Sequence, residues 1–383
     1  MQKSKPCLSC GGTEWRPLPH WENASMLSDG QLVRYELKKE HCKSCQLLRH
    51  VSPPTQSDLD DIFKRGYTLY ARAPGDDFEM RRQHRYVGWV LSMVDQQPEC
   101  SLFEIGAGNG SFLLQLQKLA PTWKLAGLEP SAVAAEFARH AGFDIQIATL
   151  AELNTPKSQA DIVLAINVLE HAEDPVAFLR HSALLMKNAG CIVIICPDGE
   201  RPSSELLVYD HIHSFTTRSI HNIARAAGLI VESRSVAPEP LGPFQAFKLR
   251  GAHDKPSAVS LISSPDDLYE RRDCFLTSWH NLDDALFQRA HRFGEEIWAF
   301  GCGENAQLLR TYAPKTWGLV TGVTADVKGD FDGTPINQYQ PALKDRSRTL
   351  LLAVRPEVQG DVAKRLQDDG HRVIQWDDLM QNI

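Results

Sequence analysis

Two short stretches near the start of the chain, Cys7-Leu-Ser-Cys10 and Cys42-Lys-Ser-Cys45, set four thiols in two pairs of equal spacing. Each Cys-x-x-Cys pair can form a tight knuckle, and two knuckles can aim four thiolates tetrahedrally at one Zn²⁺. That shell has no position left for water or substrate, so the expected zinc is structural. His20, His41 and His50 lie nearby, but four sulfurs already close the shell. Cys191 and Cys196 in "CIVIIC" read instead as core-strand residues, and Cys302 as a small residue in a turn.

A second pattern is "LFEIGAGNGSF", residues 102–112, with Glu104 ahead of Gly106, Gly108, Asn109 and Gly110. Glycines between a strand and a helix let the backbone come close to a ligand in conformations other residues avoid. Gly-x-Gly alone is shared with dinucleotide enzymes. Here the third glycine follows after one residue, and "GLEPS" ends the next strand with Glu129 and Pro130. A carboxylate at that place can accept both hydroxyls of a ribose. Farther on, "DIVLAINVLEHAEDP" leaves a strand through a polar elbow with Asn167, Glu170 and His171.

These residues need a scaffold that brings strand ends together. From Ser101 onward, short apolar runs alternate with amphipathic segments, which predicts an α/β fold with a parallel sheet covered on both faces. A helical lead-in over 56–98 precedes it, after the Pro-rich break "VSPPTQS". Loop-like stretches at 237–267 interrupt the alternation, which then resumes. The expected organisation is a zinc module over 1–55, a Rossmann-like core over 56–240 and a smaller Rossmann-like α/β domain, substrate-binding, over 241–383. In the last, "IWAFGCGENAQLL" reads as strand, glycine turn and helix, where Gly301 and Gly303 could set helix amides against an anion.

Composition narrows the function. Hydrophobic content of 43% and charged content of 23% are ordinary for a soluble globular protein. No stretch approaches the roughly 18 apolar residues of a membrane helix, and the start has no apolar run of signal-peptide type, so a cytoplasmic protein without a membrane partner is expected. A reducing compartment also favours metal over disulfide for the paired cysteines. The net charge of −7 and the lack of a Lys/Arg-rich block argue against nucleic acid as a partner. No interface is legible, so oligomeric state stays open.

The ordered set Glu104, Gly106, Gly108, Asn109, Gly110, Glu129, Pro130 and Asn167 resembles the class I S-adenosylmethionine-dependent methyltransferases. The resemblance implies the glycine loop around the methionine part of the cofactor, Glu129 on its ribose and Asn167 near the methyl-donor end. Where many members carry an acid near adenine, this chain reads Thr149 and Leu150. The whole arrangement of Cys₄ module, core and second α/β unit resembles the zinc-containing C-methyltransferases of nucleotide-linked keto-deoxysugars. Their Tyr-His-Glu-His segment corresponds to "LLVYDHIHSFT", which puts His211 on the catalytic histidine and Asp210 on the acid before it. The family tyrosine falls on Val208, with Tyr209 beside it, and His213 is a second candidate base. Tyr67 and Tyr70 match a region where the family has a substrate-facing tyrosine.

The implied chemistry is removal of a proton from carbon beside a ketone by a histidine of near-neutral pKa, giving an enolate that attacks the sulfonium methyl. "NVLEHAEDP" is similar to small-molecule O-methyltransferases, in which His171 or His211 would deprotonate a hydroxyl. Methylation of oxygen or nitrogen on another small metabolite is therefore the alternative. A zinc-containing nucleic-acid-binding protein and an NAD-dependent dehydrogenase are further options, disfavoured by charge and by loop spacing respectively.

Overall fold

The computed structural model describes residues 5–66, 74–75, 77–153, 160–252, 267–293, 296–341 and 348–380. Two compact units emerge: residues 1–17, 40–205 and 210–268 form the first, and 18–39, 206–209 and 269–383 the second. The cysteine pairs thus share a unit with the α/β core, while residues 18–39 between them belong to the other unit.

The first unit is built on a seven-stranded sheet. In chain order its strands are β1 (Ser101–Ile105), β2 (Lys124–Glu129), β3 (Asp144–Ile147), β4 (Ala160–Ile166), β5 (Met186–Pro197), β6 (Leu229–Val236) and β7 (Phe244–Gly251). They lie in the order β6-β7-β5-β4-β1-β2-β3, all parallel except β7, which pairs antiparallel with β5 and β6. The expected boundary at 240 cuts this sheet, because β7 is bonded along its length to β5. Of the loops expected at 237–267, residues 253–266 lie outside the described residues.

Alternation along the strands sorts the core. Phe103, Ile105, Val163, Ile192 and Ile194 face one side and pack with Leu179 of the helix Pro175–Leu185 and Ile220 and Ile223 of Thr217–Ala226. Leu102, Ile162, Leu164, Val193 and Ile195 face the other and meet Val87 and Val90 of Asp77–Met93 and Leu113 and Leu116 of Ser111–Leu119. Both faces are therefore covered, as a parallel sheet requires. Cys191 and Cys196 are buried within β5.

Helix starts are set by local chemistry. Asp174 caps Pro175–Leu185 through the amides of Val176 and Ala177, both at 2.9 Å, and Pro175 occupies the first turn, where its missing N–H is harmless. Thr216 caps Thr217–Ala226 in a reciprocal pair with Ser219. Pro175–Leu185 ends sooner than its amphipathic pattern predicts, because Met186 already pairs with Ala160 as the start of β5.

The second unit holds a six-stranded sheet with Ile297–Phe300 and Val320–Ala325 at its centre. Its pairs are parallel except the hairpin Gly329–Phe331 with Thr334–Gln338. Gly301 ends Ile297–Phe300 at φ 114°, and a Cβ there would stand 2.6 Å from the Ala353 carbonyl oxygen. Only glycine suits that turn. Among the described residues, no helix is long and apolar enough to cross a membrane.

Candidate active site

The strand order reverses between β1 and β4, and in open α/β sheets ligands bind in the crevice outside the carboxyl ends of strands at such a point. Gly106, Gly108 and Gly110 follow β1 with φ of 75°, 54° and 80°. A Cβ on Gly106 would lie 2.7 Å from the Val168 side chain, which follows β4, so the two strand exits are in close contact. A Cβ on Gly110 would lie 2.9 Å from Cβ of Ala138, in the helix Ala132–His140. Gly110→Ala should therefore cost about 1–2 kcal/mol for the left-handed backbone alone, with crowding in addition. Denaturant unfolding would measure this, and an unchanged midpoint would mean the loop is not held as described.

Glu129 ends β2 and is buried; its carboxylate accepts from the amides of Gly108 and Ser131, both at 2.8 Å. Burial pushes its pKa up to about 7 against the opposing pull of those two amides. Glu104 is also buried, and burial first, then the Glu129 charge, raises its pKa well above the usual carboxylate range. Its Oε2 has no hydrogen-bond partner among the described residues. Asn109 accepts from the amide and hydroxyl of Ser111 at 3.2 and 2.6 Å, and that hydroxyl also bonds Glu79. Pro130 is half-buried at the β2 exit. Thr149, half-buried before the turn Leu150–Glu152, bonds the Glu152 carboxylate through its amide at 2.8 Å and its hydroxyl at 3.0 Å, and Leu150 packs on the core.

Beyond β4, Asn167 turns the chain at φ 54°, with its amide bonded to the Ile195 carbonyl at 2.8 Å. The next turn, Leu169–His171, brings Glu170 and His171 beside His211. The ring centroids of His171 and His211 lie 4.9 Å apart, edge to face, and Phe63 meets His171 at 5.0 Å. His171 Nδ1 donates to the main-chain oxygen of Asp210 at 2.8 Å. His211 Nδ1 lies 3.7 Å from Glu205, whose other oxygen accepts from the Ser214 hydroxyl at 2.5 Å. Burial disfavours the His211 cation, but Glu205, Glu170 and Asp210 outweigh it and raise its pKa. Burial likewise pushes Glu170 up to about 7, against the attraction of His211.

The other residues of this segment have different surroundings. Tyr209 stacks on Tyr35 at 5.1 Å within the second unit, and Val208 is buried there as well. His213 stacks on Phe215 and belongs to the strand His213–Ser214. Tyr67 and Tyr70 lie outside the described residues. Sequence reasoning missed Glu205 and Glu79. Neither stands at a telling spacing, and each gains meaning only once folding buries it beside His211 or Ser111.

The four cysteines also converge. Their sulfurs all lie within 4.8 Å of one another, with Cys7–Cys45 and Cys10–Cys42 at 3.6 Å. A tetrahedral ion with sulfur arms of about 2.3 Å separates its ligands by about 3.8 Å, so the donor set fits one such ion. Each pair turns through a positive-φ residue, Gly11 at 72° and Gln46 at 63°. The strand Leu48–His50 pairs antiparallel with His213–Ser214, and the His50 amide bonds the Ile212 carbonyl at 2.8 Å. Thr216 and Arg218 bond the carbonyls of Cys45 and Ser44 at 3.0 and 3.1 Å. The cysteine module therefore grips the segment that presents His211.

Part of the chain is similar to known methyltransferases. Residues 78–234 match the methyltransferase domain family model. A ubiquinone biosynthesis O-methyltransferase of Rhodopseudomonas palustris is 31% identical over 99 residues, covering 24% of this chain and 38% of the relative. A probable S-adenosylmethionine-dependent methyltransferase of Mycobacterium tuberculosis is 26% identical over 172 residues, covering 44% and 60%. The chain thus spans between about two fifths and three fifths of these curated relatives. Among solved structures, mitomycin 7-O-methyltransferase aligns with a TM-score of 0.39 at 22% identity, covering 46% of this chain and 54% of that one. With its glycine loop and Glu129 at the switch point of the sheet, the segment 78–234 is a class I S-adenosylmethionine-dependent methyltransferase domain.

Proposed function

We propose that the protein transfers the methyl group of S-adenosylmethionine to a small-molecule acceptor that loses a proton beside His171 and His211. The observation that carries this reading is the convergence of these two rings and buried Glu170 at the β4 exit, next to the glycine loop. The loop Gly106–Gly110 would hold the methionine part of the cofactor, Glu129 its ribose, and Thr149 and Leu150 would border adenine. Asn167 would stand near the sulfonium. Bound there, the cofactor supplies an electrophilic methyl group.

The acceptor we assign is a nucleotide-linked keto-sugar methylated at carbon. The arrangement of a Cys₄ module, a methyltransferase domain and a second α/β unit supports it. His211, backed by Glu205, would take the proton beside the ketone, while Asp210 orients His171. The four thiolates would hold a structural Zn²⁺. A second reading, methylation of an acceptor hydroxyl, is favoured by the position of Glu170 and His171 and by the O-methyltransferases among the relatives.

Titration calorimetry with S-adenosylhomocysteine, followed by TDP or GDP added to the complex, tests both readings. Binding of both ligands is expected. Binding of S-adenosylhomocysteine alone would favour the second reading, and binding of neither would sink the methyltransferase reading.

The raised pKa of Glu129 has two consequences. The folded state holds its proton more tightly than the unfolded chain, so its contribution to stability is present at low pH and is lost as pH rises through about 7. A ribose diol needs the ionised carboxylate as acceptor. Affinity for S-adenosylhomocysteine should therefore drop about fivefold between pH 7 and pH 6. Calorimetry across that range checks this, and a flat profile, or the same profile in Glu129→Gln, would remove Glu129 from the ribose site.

A further inference from the structure

We infer that Glu170, His171 and His211 form a binding site for a divalent first-row cation, separate from the four cysteines. One donor atom from each residue lies within 4.8 Å of the other two. A cation with nitrogen and oxygen arms of about 2.1 Å separates its ligands by roughly 3.0–3.5 Å, so rotation of side chains closes the set. Two imidazoles and a carboxylate suit Mn²⁺, Fe²⁺, Co²⁺ or Zn²⁺, and three protein ligands leave open positions for an acceptor.

Two further observations point to an ion. Glu170 is 1% exposed, yet neither of its carboxylate oxygens has a hydrogen-bond partner among the described residues. A buried carboxylate without donors is costly, and a cation would satisfy both oxygens. The outer partners of the histidines also have the arrangement that metal ligands use. His171 Nδ1 donates to the Asp210 carbonyl, and His211 Nδ1 faces the Glu205 carboxylate. The His171 contact fixes that ring so that coordination falls to Nε2 and makes it a better donor, while the His211 contact, at 3.7 Å, is electrostatic.

This inference rests on the second reading, methylation of a hydroxyl. The acceptor oxygen would join the ion as a further ligand and release its proton to solvent, as ligands do on binding a metal. Its electron pair then forms the O–C bond as the S–C bond breaks, leaving a methyl ether and neutral S-adenosylhomocysteine. His211 would serve as a ligand here, whereas in the keto-sugar reading it is a base.

The test is Mn²⁺ binding, followed by electron paramagnetic resonance, on the full chain with zinc already at the cysteines. The wild type should bind one Mn²⁺ per chain. Glu170→Gln and His171→Asn should each weaken it by at least about a hundredfold, beyond the roughly 10–100-fold typical of losing an outer partner. Retained S-adenosylhomocysteine affinity in each variant would show that it is folded. No Mn²⁺ uptake by the wild type, or equal uptake in both variants, would overturn the inference. Failure of the wild type to bind S-adenosylhomocysteine would count against the methyltransferase reading instead, with the Mn²⁺ count still deciding the cation site.

Discussion

Cys42→Ser should abolish binding of the zinc we propose at the four cysteines, and with it methyl transfer, while leaving S-adenosylhomocysteine binding in place. Cys42 is fully buried with its sulfur 3.6 Å from that of Cys10, so it has no solvent route to compensate for a lost ligand. Apparent zinc binding energies in small Cys-rich modules are about 10–16 kcal/mol, more than short strands such as Lys39–Cys42 and Leu48–His50 can replace. The loss would spread through two routes. Leu48–His50 would no longer pair with His213–Ser214, and the Cys45 carbonyl would no longer fix Thr216. Both lead to His211. The glycine loop and Glu129 are held instead by β1, β2 and the helix Ala132–His140. Zinc content, calorimetry and turnover on one preparation decide the matter. A zinc-free variant with full turnover would refute the bracing role, and one unable to bind S-adenosylhomocysteine would show that the module also supports the cofactor site.

That the cysteine module pairs with the segment after His211 could not be read from the cysteine spacing. Spacing predicts a knuckle because the chemistry is local, and Gly11 and Gln46 supply its turns. The partner strand His213–Ser214 lies far along the chain, and two residues of pairing leave no periodicity to detect. The glycine loop was legible for the opposite reason. Its function demands positive φ at several positions within a few residues, which only glycine supplies cheaply. The core strands were equally plain, since burial on both faces makes near-continuous apolar runs such as "CIVIIC". β7 was not, because it returns antiparallel after a loop with many prolines, and the boundary expected at 240 followed from that break. The insert between the cysteine pairs looked like part of the module, yet Met26 bonds Tyr209 and Trp21 packs on Tyr312, both in the second unit. Such long-range placement is decided by packing, to which a local pattern is blind.

His211→Ala should lower kcat by about 10²–10⁴-fold, the usual worth of a positioned acid–base group, without changing affinity for S-adenosylhomocysteine. The ring is buried against His171, and no other imidazole is grouped with Glu170 among the described residues. Glu205→Gln gives a milder version of the same change. It keeps the shape and the acceptor for Ser214 but removes the charge that faces His211 Nδ1. A merely structural Glu205 would change stability and leave the kcat of the folded protein intact, whereas a positioning one lowers kcat with KM for the cofactor unmoved. Full turnover by His211→Ala would remove this histidine from both proposed mechanisms, leaving His171 as the base to test next. Loss of turnover alone does not choose between base and ligand. Paired with the Mn²⁺ titration it does: a base leaves the ion count at zero in the wild type, and a ligand makes activity and bound metal disappear together.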